Sequence, residues 1–151
     1  AGPGKYRGGM SVRRDYRFLE EEAVLQVRAD RRTFRPFGLY GGRPGKASVN
    51  VINPDTENRL VTAKVTMTIK RGDVFRHEQP GPGGWGDPLE RETWRVVKDV
   101  RNGFVSPGSA RNDYGVMLKP GTLEVDEPAT ATRRAEVRAA RGWTTPPVVS
   151  R

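Results

Sequence analysis

Two stretches of the chain combine residue types and spacing that could hold a ligand. The first is Gln79-Pro80-Gly81-Pro82-Gly83-Gly84-Trp85-Gly86-Asp87-Pro88. Its glycines let backbone approach a bound group, and it runs into a helix start, where free N–H groups favour an anion. No Lys-Ser or Lys-Thr follows the glycines, so the paired ammonium and hydroxyl of a phosphate loop are missing, as is the dinucleotide-binding spacing. Asp87, as a cap, would itself take the positive helix end and repel an anion. Local physics therefore favours a structural loop, and Gly83, Gly84, Trp85, Gly86 and Asp87 stand as candidate substrate-binding or loop-shaping residues. The second stretch, Asp30 to Gly45, sets charged residues beside a glycine-shaped backbone that could position a polar substrate or brace a neighbouring segment. Its candidates are Asp30, Arg31, Gly41 and Gly42, with Asp30 equally able to pair with Arg31, Arg32 or Arg35.

Other chemistries have little to build on. The chain has no Cys, which removes disulfides, thiolate nucleophiles and sulfur-based zinc sites. His77 is the lone imidazole and cannot make a His-rich metal site; no serine has a His neighbour in sequence, so only a tertiary contact with His77 could supply a base. Glu20-Glu21-Glu22 reads as a solvated turn, because consecutive turn residues do not converge on one point. Arg71-Gly72-Asp73 spells an adhesion tripeptide but reads as a turn between strands.

Net charge is +9, which raises nucleic acid as a partner. The distribution argues against it. Residues 1–46 carry 11 basic and 5 acidic side chains, residues 47–128 carry 11 and 12, and residues 129–151 carry 5 and 1. The excess lies at the two ends, where it suits acidic protein surfaces, and is not interleaved with aromatic residues on one sheet face as in an RNA-binding module. A non-catalytic basic interaction module is thus a competing reading. No apolar run has the length of a membrane span. The start at Ala1 lacks an initiator Met and a signal-peptide core, so the N-terminus reads as cut from something longer, in a cytoplasmic protein.

The elements that would position these stretches follow from periodicity. Residues 12–29 predict a β-hairpin turning at the three glutamates, and Val61, Ala63, Val65, Met67 and Ile69 alternate with Thr and Lys along a strand that returns, after Gly72-Asp73, through Val74 to Glu78. Ala47, Val49 and Val51 give a strand that ends in the Asn53-Pro54-Asp55 turn. Asp87-Pro88 predicts a helix reaching about Asn102, with Leu89, Val96, Val97 and Val100 as its buried stripe. Ser106-Pro107 opens a second helix ending at Tyr114-Gly115. A small hairpin follows around Lys119-Pro120-Gly121, and Asp126 caps a last helix to about Arg141, whose thin Ala131, Ala135, Ala139 face implies docking on a larger body.

The expected fold is α+β: an antiparallel, β-rich segment with Gly-rich loops over residues 1–86, a helical region with a small hairpin over 87–141, and a mobile tail over 142–151. With 18 Gly and 12 Pro in 151 residues, a loop-rich protein is favoured over a bundle.

Four blocks carry a resemblance to the B-type subunit of ATP-dependent hydantoinases and 5-oxoprolinases, relatives of the acetone carboxylase large subunit. They are Gly2-Pro3-Gly4-Lys5-Tyr6-Arg7-Gly8-Gly9; Asp30-Arg31 through Pro36, Gly38, Gly41-Gly42 and Gly45; Lys70-Arg71-Gly72-Asp73-Val74; and Pro80 through Arg91. Asp99-Val100-Arg101-Asn102-Gly103, Val105-Ser106-Pro107, Ala110-Arg111 and Asp113-Tyr114-Gly115-Val116 look like the ending usual in that family. Pro82 stands where the family usually has Gly and Gln79 where Thr is common; Pro82 removes an N–H and fixes φ.

The resemblance implies the C-terminal segment of a larger subunit that takes part in ATP-driven opening of a cyclic amide, such as a hydantoin or 5-oxoproline, or in ketone carboxylation. It implies as partners the upstream part of the same B-type subunit and a nucleotide-binding A-type subunit. ATP and a divalent metal belong to the intact enzyme, whose His/Asp metal-site region lies upstream; no cofactor is expected on this segment, and no catalysis from it alone.

Overall fold

A computed structural model describes all 151 residues and shows an α+β fold. The strands are β1 (Arg13–Arg17), β2 (Glu22–Arg28), β3 (Gly38–Leu39), β4 (Val49–Ile52), β5 (Arg59–Leu60), β6 (Lys64–Lys70), β7 (Val74–Glu78) and β8 (Val149–Ser150); the helices are α1 (Thr93–Arg101), α2 (Pro107–Tyr114) and α3 (Glu127–Ala140).

The two alternating runs do not close on themselves as hairpins. β1 pairs with β7 and β2 with β6, all antiparallel, so residues 13–28 and 64–78 form one long bent ribbon. At the bend, residues 18–21 oppose only 71–73: partner numbers sum to 91 on one side and to 92 on the other. The extra residue acts as a bulge, re-aiming the ribbon into a second sheet. Phe18 N–H donates to the Asp73 carbonyl at 2.9 Å, Gly72 N–H to Phe18 at 2.9 Å and Arg71 N–H to Glu21 at 3.2 Å. The alternation marks the strands but not their partners, because a period of two suits either pairing.

β1-β7-β4-β5 make one sheet and β2-β6 another. Bending lets their inner faces share a core of Val27, Ile52, Val61, Ile69 and Phe75, while Lys64, Thr66, Thr68 and Lys70 remain exposed. A second core lies among the helices: Val96, Val105, Ala110, Tyr114 and Val116.

Helix punctuation is largely as expected. Ser106 caps α2 through Ser109 N–H at 3.1 Å, Asp126 caps α3 through Ala129 N–H at 3.0 Å, and Gly115 ends α2 at φ +63°. The small hairpin around Lys119-Pro120-Gly121 forms, with Leu118 opposite Val125 and with Lys119 N–H donating to the Glu124 carbonyl and Asp126 N–H to the Met117 carbonyl at 2.9 Å each. Asp87-Pro88, however, starts only a short 3-10 turn over Pro88–Glu90. Arg91 and Glu92 are extended and α1 begins at Thr93, because the buried Arg91 side chain is turned to bond the Lys5 carbonyl at 2.8 Å and Asp99 at 2.9 Å.

Ala131, Ala135 and Ala139 of α3 are exposed; the face against the rest of this chain carries Thr130, Arg134, Val137 and Arg141, whose arginines bond backbone carbonyls and Asp87. The tail over 142–151, expected to be mobile, packs back on the protein. Ser150 and Val149 pair with Gly38 and Leu39, and the Tyr40 and Gly41 N–H groups donate to Val148 and Pro147 at 3.0 Å each.

Candidate functional site

The glycine blocks meet in one layer. The chain start, the 37–45 loop and the 81–86 loop lie side by side, joined by backbone bonds: Gly2 N–H to Pro82 at 2.8 Å, Leu39 N–H to Gly84 at 3.0 Å, Gly84 N–H to Arg43 at 3.0 Å, and reciprocal bonds between Tyr6 and Trp85 at 2.9 Å. Glycine is required here by close approach. A Cβ on Gly83 would lie 1.8 Å from the Phe37 carbonyl oxygen, one on Gly84 2.0 Å from that of Pro3, and one on Gly42 2.1 Å from that of Gly84. Three backbones thus interlock at distances that no side chain permits.

This packing bears on what the loop can hold. Backbone carbonyl oxygens fill the space beside Gly83 and Gly84, and they repel an anion. Trp85 lies half exposed between Tyr6 and Tyr40, with ring centroids 5.5 and 5.6 Å away.

Asp87 is buried at the edge of this layer. One carboxylate oxygen accepts from Leu89 N–H at 2.9 Å, and the other pairs with Arg141. The Arg141 guanidinium lies 3.6 Å over the Trp143 ring, and a Cβ on Gly41, itself at φ +87°, would meet Pro146 and Trp143. A cleft of about 130 Å³ here has walls from Arg43, Asp87, Asp113, Arg141 and Trp143. Its charges balance, since Arg43 pairs with Asp113 at 2.6 Å.

A second buried charge cluster ties the chain start to the helices. Asp99 accepts from Arg7 at 3.0 Å and from Arg91 at 2.9 Å, and Arg7 also donates to the Gly8 carbonyl at 2.7 Å and lies over Phe104. Arg134 donates to the Arg91 and Tyr114 carbonyls at 2.7 and 3.1 Å. Tyr114 packs beside this cluster, and burial first, then the Asp99 and Asp113 carboxylates, push its phenol up to about 12, against the opposing pull of Arg91 and Arg7. Sequence reading missed Asp99, Arg91, Arg7 and Arg141. The available signal was Asp99 itself, three residues after Val96 and so on the buried side of the helix.

Asp30 and Arg31 lie apart from the glycine layer in their bonding. Asp30 is exposed and pairs with Lys64 at 3.2 Å, not with a nearby arginine, while the Arg31 carbonyl accepts from Ser48 N–H at 3.0 Å. Gly41, Gly42, Gly83, Gly84, Trp85, Gly86 and Asp87 do come together. His77 Nδ1 lies 2.7 Å from Asn50 Oδ1, whereas the buried Ser48 hydroxyl has no partner, so no serine–histidine pair forms. No three His, Cys, Asp or Glu side chains converge in a way that fits a divalent metal.

Comparison with known proteins agrees with this arrangement. The family described as Hydantoinase B/oxoprolinase matches residues 1–88. The caprolactamase subunit beta of Pseudomonas jessenii is 32% identical over 139 residues, covering 89% of this chain and 24% of that protein. The acetone carboxylase alpha subunit of Xanthobacter autotrophicus is 37% identical over 139 residues, covering 89% of this chain and 18% of that one. The crystal structure of the ATP-dependent caprolactamase from Pseudomonas jessenii superposes with a TM-score of 0.63 at 27% identity, over 88% of this chain and 24% of that chain. This chain therefore spans about a quarter or less of the length of these relatives. By its matched glycine blocks and the fold they hold together, the chain belongs to the Hydantoinase B/oxoprolinase family.

Proposed function

We propose that this chain serves as a non-catalytic brace within a B-type subunit that takes part in ATP-dependent hydrolytic opening of a cyclic amide, such as a hydantoin or 5-oxoproline. The observation that carries this reading is the glycine layer: three family-matched segments whose backbones interlock, one of them on the chain path from β7 to α1. Such a body holds shape and presents surfaces; its buried charges are spent on one another. In this reading the nucleotide and a divalent metal are bound outside the segment, by the rest of the B-type subunit and by an A-type partner, in the cytoplasm. The names of the relatives support a multi-subunit setting, since the caprolactamase relative is itself a subunit.

A second reading, as part of an ATP-dependent ketone carboxylase subunit, is favoured by one observation: the acetone carboxylase relative has the higher identity, 37% against 32%. Both are tested by a chimera in which this chain replaces the matched quarter of the caprolactamase subunit beta. Retained ATP-dependent hydrolysis of caprolactam by the assembled chimera is the expected result. An assembled chimera without turnover would contradict the ring-opening reading; the parallel exchange into acetone carboxylase, assayed with acetone, ATP and bicarbonate, tests the other. Within the active chimera, Asp87→Ala should lower turnover together with subunit assembly, because it leaves the part-buried Arg141 unpaired and uncaps the turn at Leu89.

A further inference from the structure

β1 is an edge strand whose outer side is open. In its sheet, β7 is its one neighbour. The bonds from Gln79 N–H to Val12 and from Phe18 N–H to Asp73, each 2.9 Å, fix the phase of the ladder. By alternation, Arg14 and Tyr16 turn their backbone groups towards β7, whereas Arg13, Asp15 and Arg17 turn theirs outward. All five residues are exposed. Natural edges are kept short, covered or charged: β5, the far edge of the same sheet, has two residues, whereas β1 has five and carries charge, which deters a basic strand and leaves the edge open to an acidic one.

Charge then selects the occupant. Arg76 binds Asp15 with two bonds, of 2.8 and 2.7 Å, which neutralises the one acid on the strand. Arg13, Arg14 and Arg17 have no acidic partner among the ion pairs of the chain. A second copy pairing antiparallel about Asp15 would set Arg13 against Arg17, like charge against like charge. Past the bend the sign reverses at Glu20-Glu21-Glu22, so the favourable register is confined to β1.

We propose that the outer edge of β1 is a strand-addition site for an acidic extended segment of a partner polypeptide, about five residues long, with carboxylates opposite Arg13 and Arg17. Main-chain bonds to Arg13, Asp15 and Arg17 supply pairing, and the arginines supply selectivity that weakens with salt. The site follows from sheet topology and charge, and it stands whether the family reaction is ring opening or carboxylation.

The test uses the isotope-labelled full chain and two decapeptides, one alternating Glu with Thr and one alternating Lys with Thr, followed by amide chemical shifts and hydrogen exchange. With the Glu peptide at millimolar concentration, the amides of Arg13, Asp15 and Arg17 should shift and gain protection, while that of Arg14, already bonded to β7, keeps its protection. Preference over the Lys peptide should be about tenfold or more. A double variant, Arg13→Glu with Arg17→Glu, should keep the fold, read from the unchanged β4 and β7 amides, and reverse the preference. No protection at the three outward amides, an equal response to both peptides, or an unreversed preference in the folded double variant would each overturn the proposal.

Discussion

At the scale of single residues, glycine identity is decided by what a Cβ would strike, and the adjacent pair Gly8-Gly9 makes the point. A Cβ on Gly8 would lie 2.3 Å from the Pro82 carbonyl oxygen, whereas one on Gly9 meets nothing nearer than a Pro82 side-chain carbon at 3.8 Å. Gly8→Ala should therefore destabilise by about 3 kcal/mol or more, since rigid backbone has to move. Gly9→Ala should fall within about 0.5 kcal/mol of the parent. Urea unfolding of the two variants separates these outcomes. Tyr114 gives a pH-dependent counterpart. Its folded pKa, about 12, lies above the ordinary 10.0, so the fold favours the neutral phenol. This contribution is complete below about pH 10 and is lost as pH rises through about 12, amounting to about 3 kcal/mol at 1.4 kcal/mol per unit. Tyr114→Phe should remove that dependence: the difference in unfolding free energy between the two proteins should change over this range and stay flat below it. The cap at Asp87 was legible in sequence because its partner at Leu89 is two residues away. The Arg7–Asp99 pair was not, since its members lie 92 residues apart.

At the scale of elements, local signals such as Ser106-Pro107, Asp126 and Gly115 located helix ends, because caps act within one turn. Strand pairing was not legible: the residues that bend the ribbon at 18–21 and 71–73 look like ordinary hairpin turns until the shared core of Val27, Ile69 and Phe75 is considered. The C-terminal tail shows the same limit. Its Pro-rich, exposed composition suggests mobility, yet β8 completes an edge at β3, and Trp143 stacks under Arg141. Deleting residues 142–151 should strip hydrogen-exchange protection from the amides of Tyr40 and Gly41, which donate into the tail, while the amide of Gly84, bonded to Arg43, stays protected. Unchanged protection at Tyr40 and Gly41 would show that the tail does not hold that edge in solution.

At the scale of the whole molecule, the α+β class followed from periodicity and punctuation, which also marked the glycine blocks as shaped loops. Their interleaving did not, because it joins residues 1–9, 37–45 and 81–86 through contacts that no local period encodes. The layer lies on the chain path from β7 to α1, and Arg7, Asp99 and Arg91 form a charged rivet that ties the chain start to α1. A brace of this kind has to behave as one cooperative unit. Native-state hydrogen exchange in increasing denaturant tests this most directly, by following amides of the sheet core at Ile52 and Phe75, of the layer at Leu39 and Gly84, and of the helical half at Val105 and Ala110. All should converge on one global opening, with the same free energy and denaturant slope. A helical half that opens at a lower free energy, while the sheet amides remain protected, would contradict it.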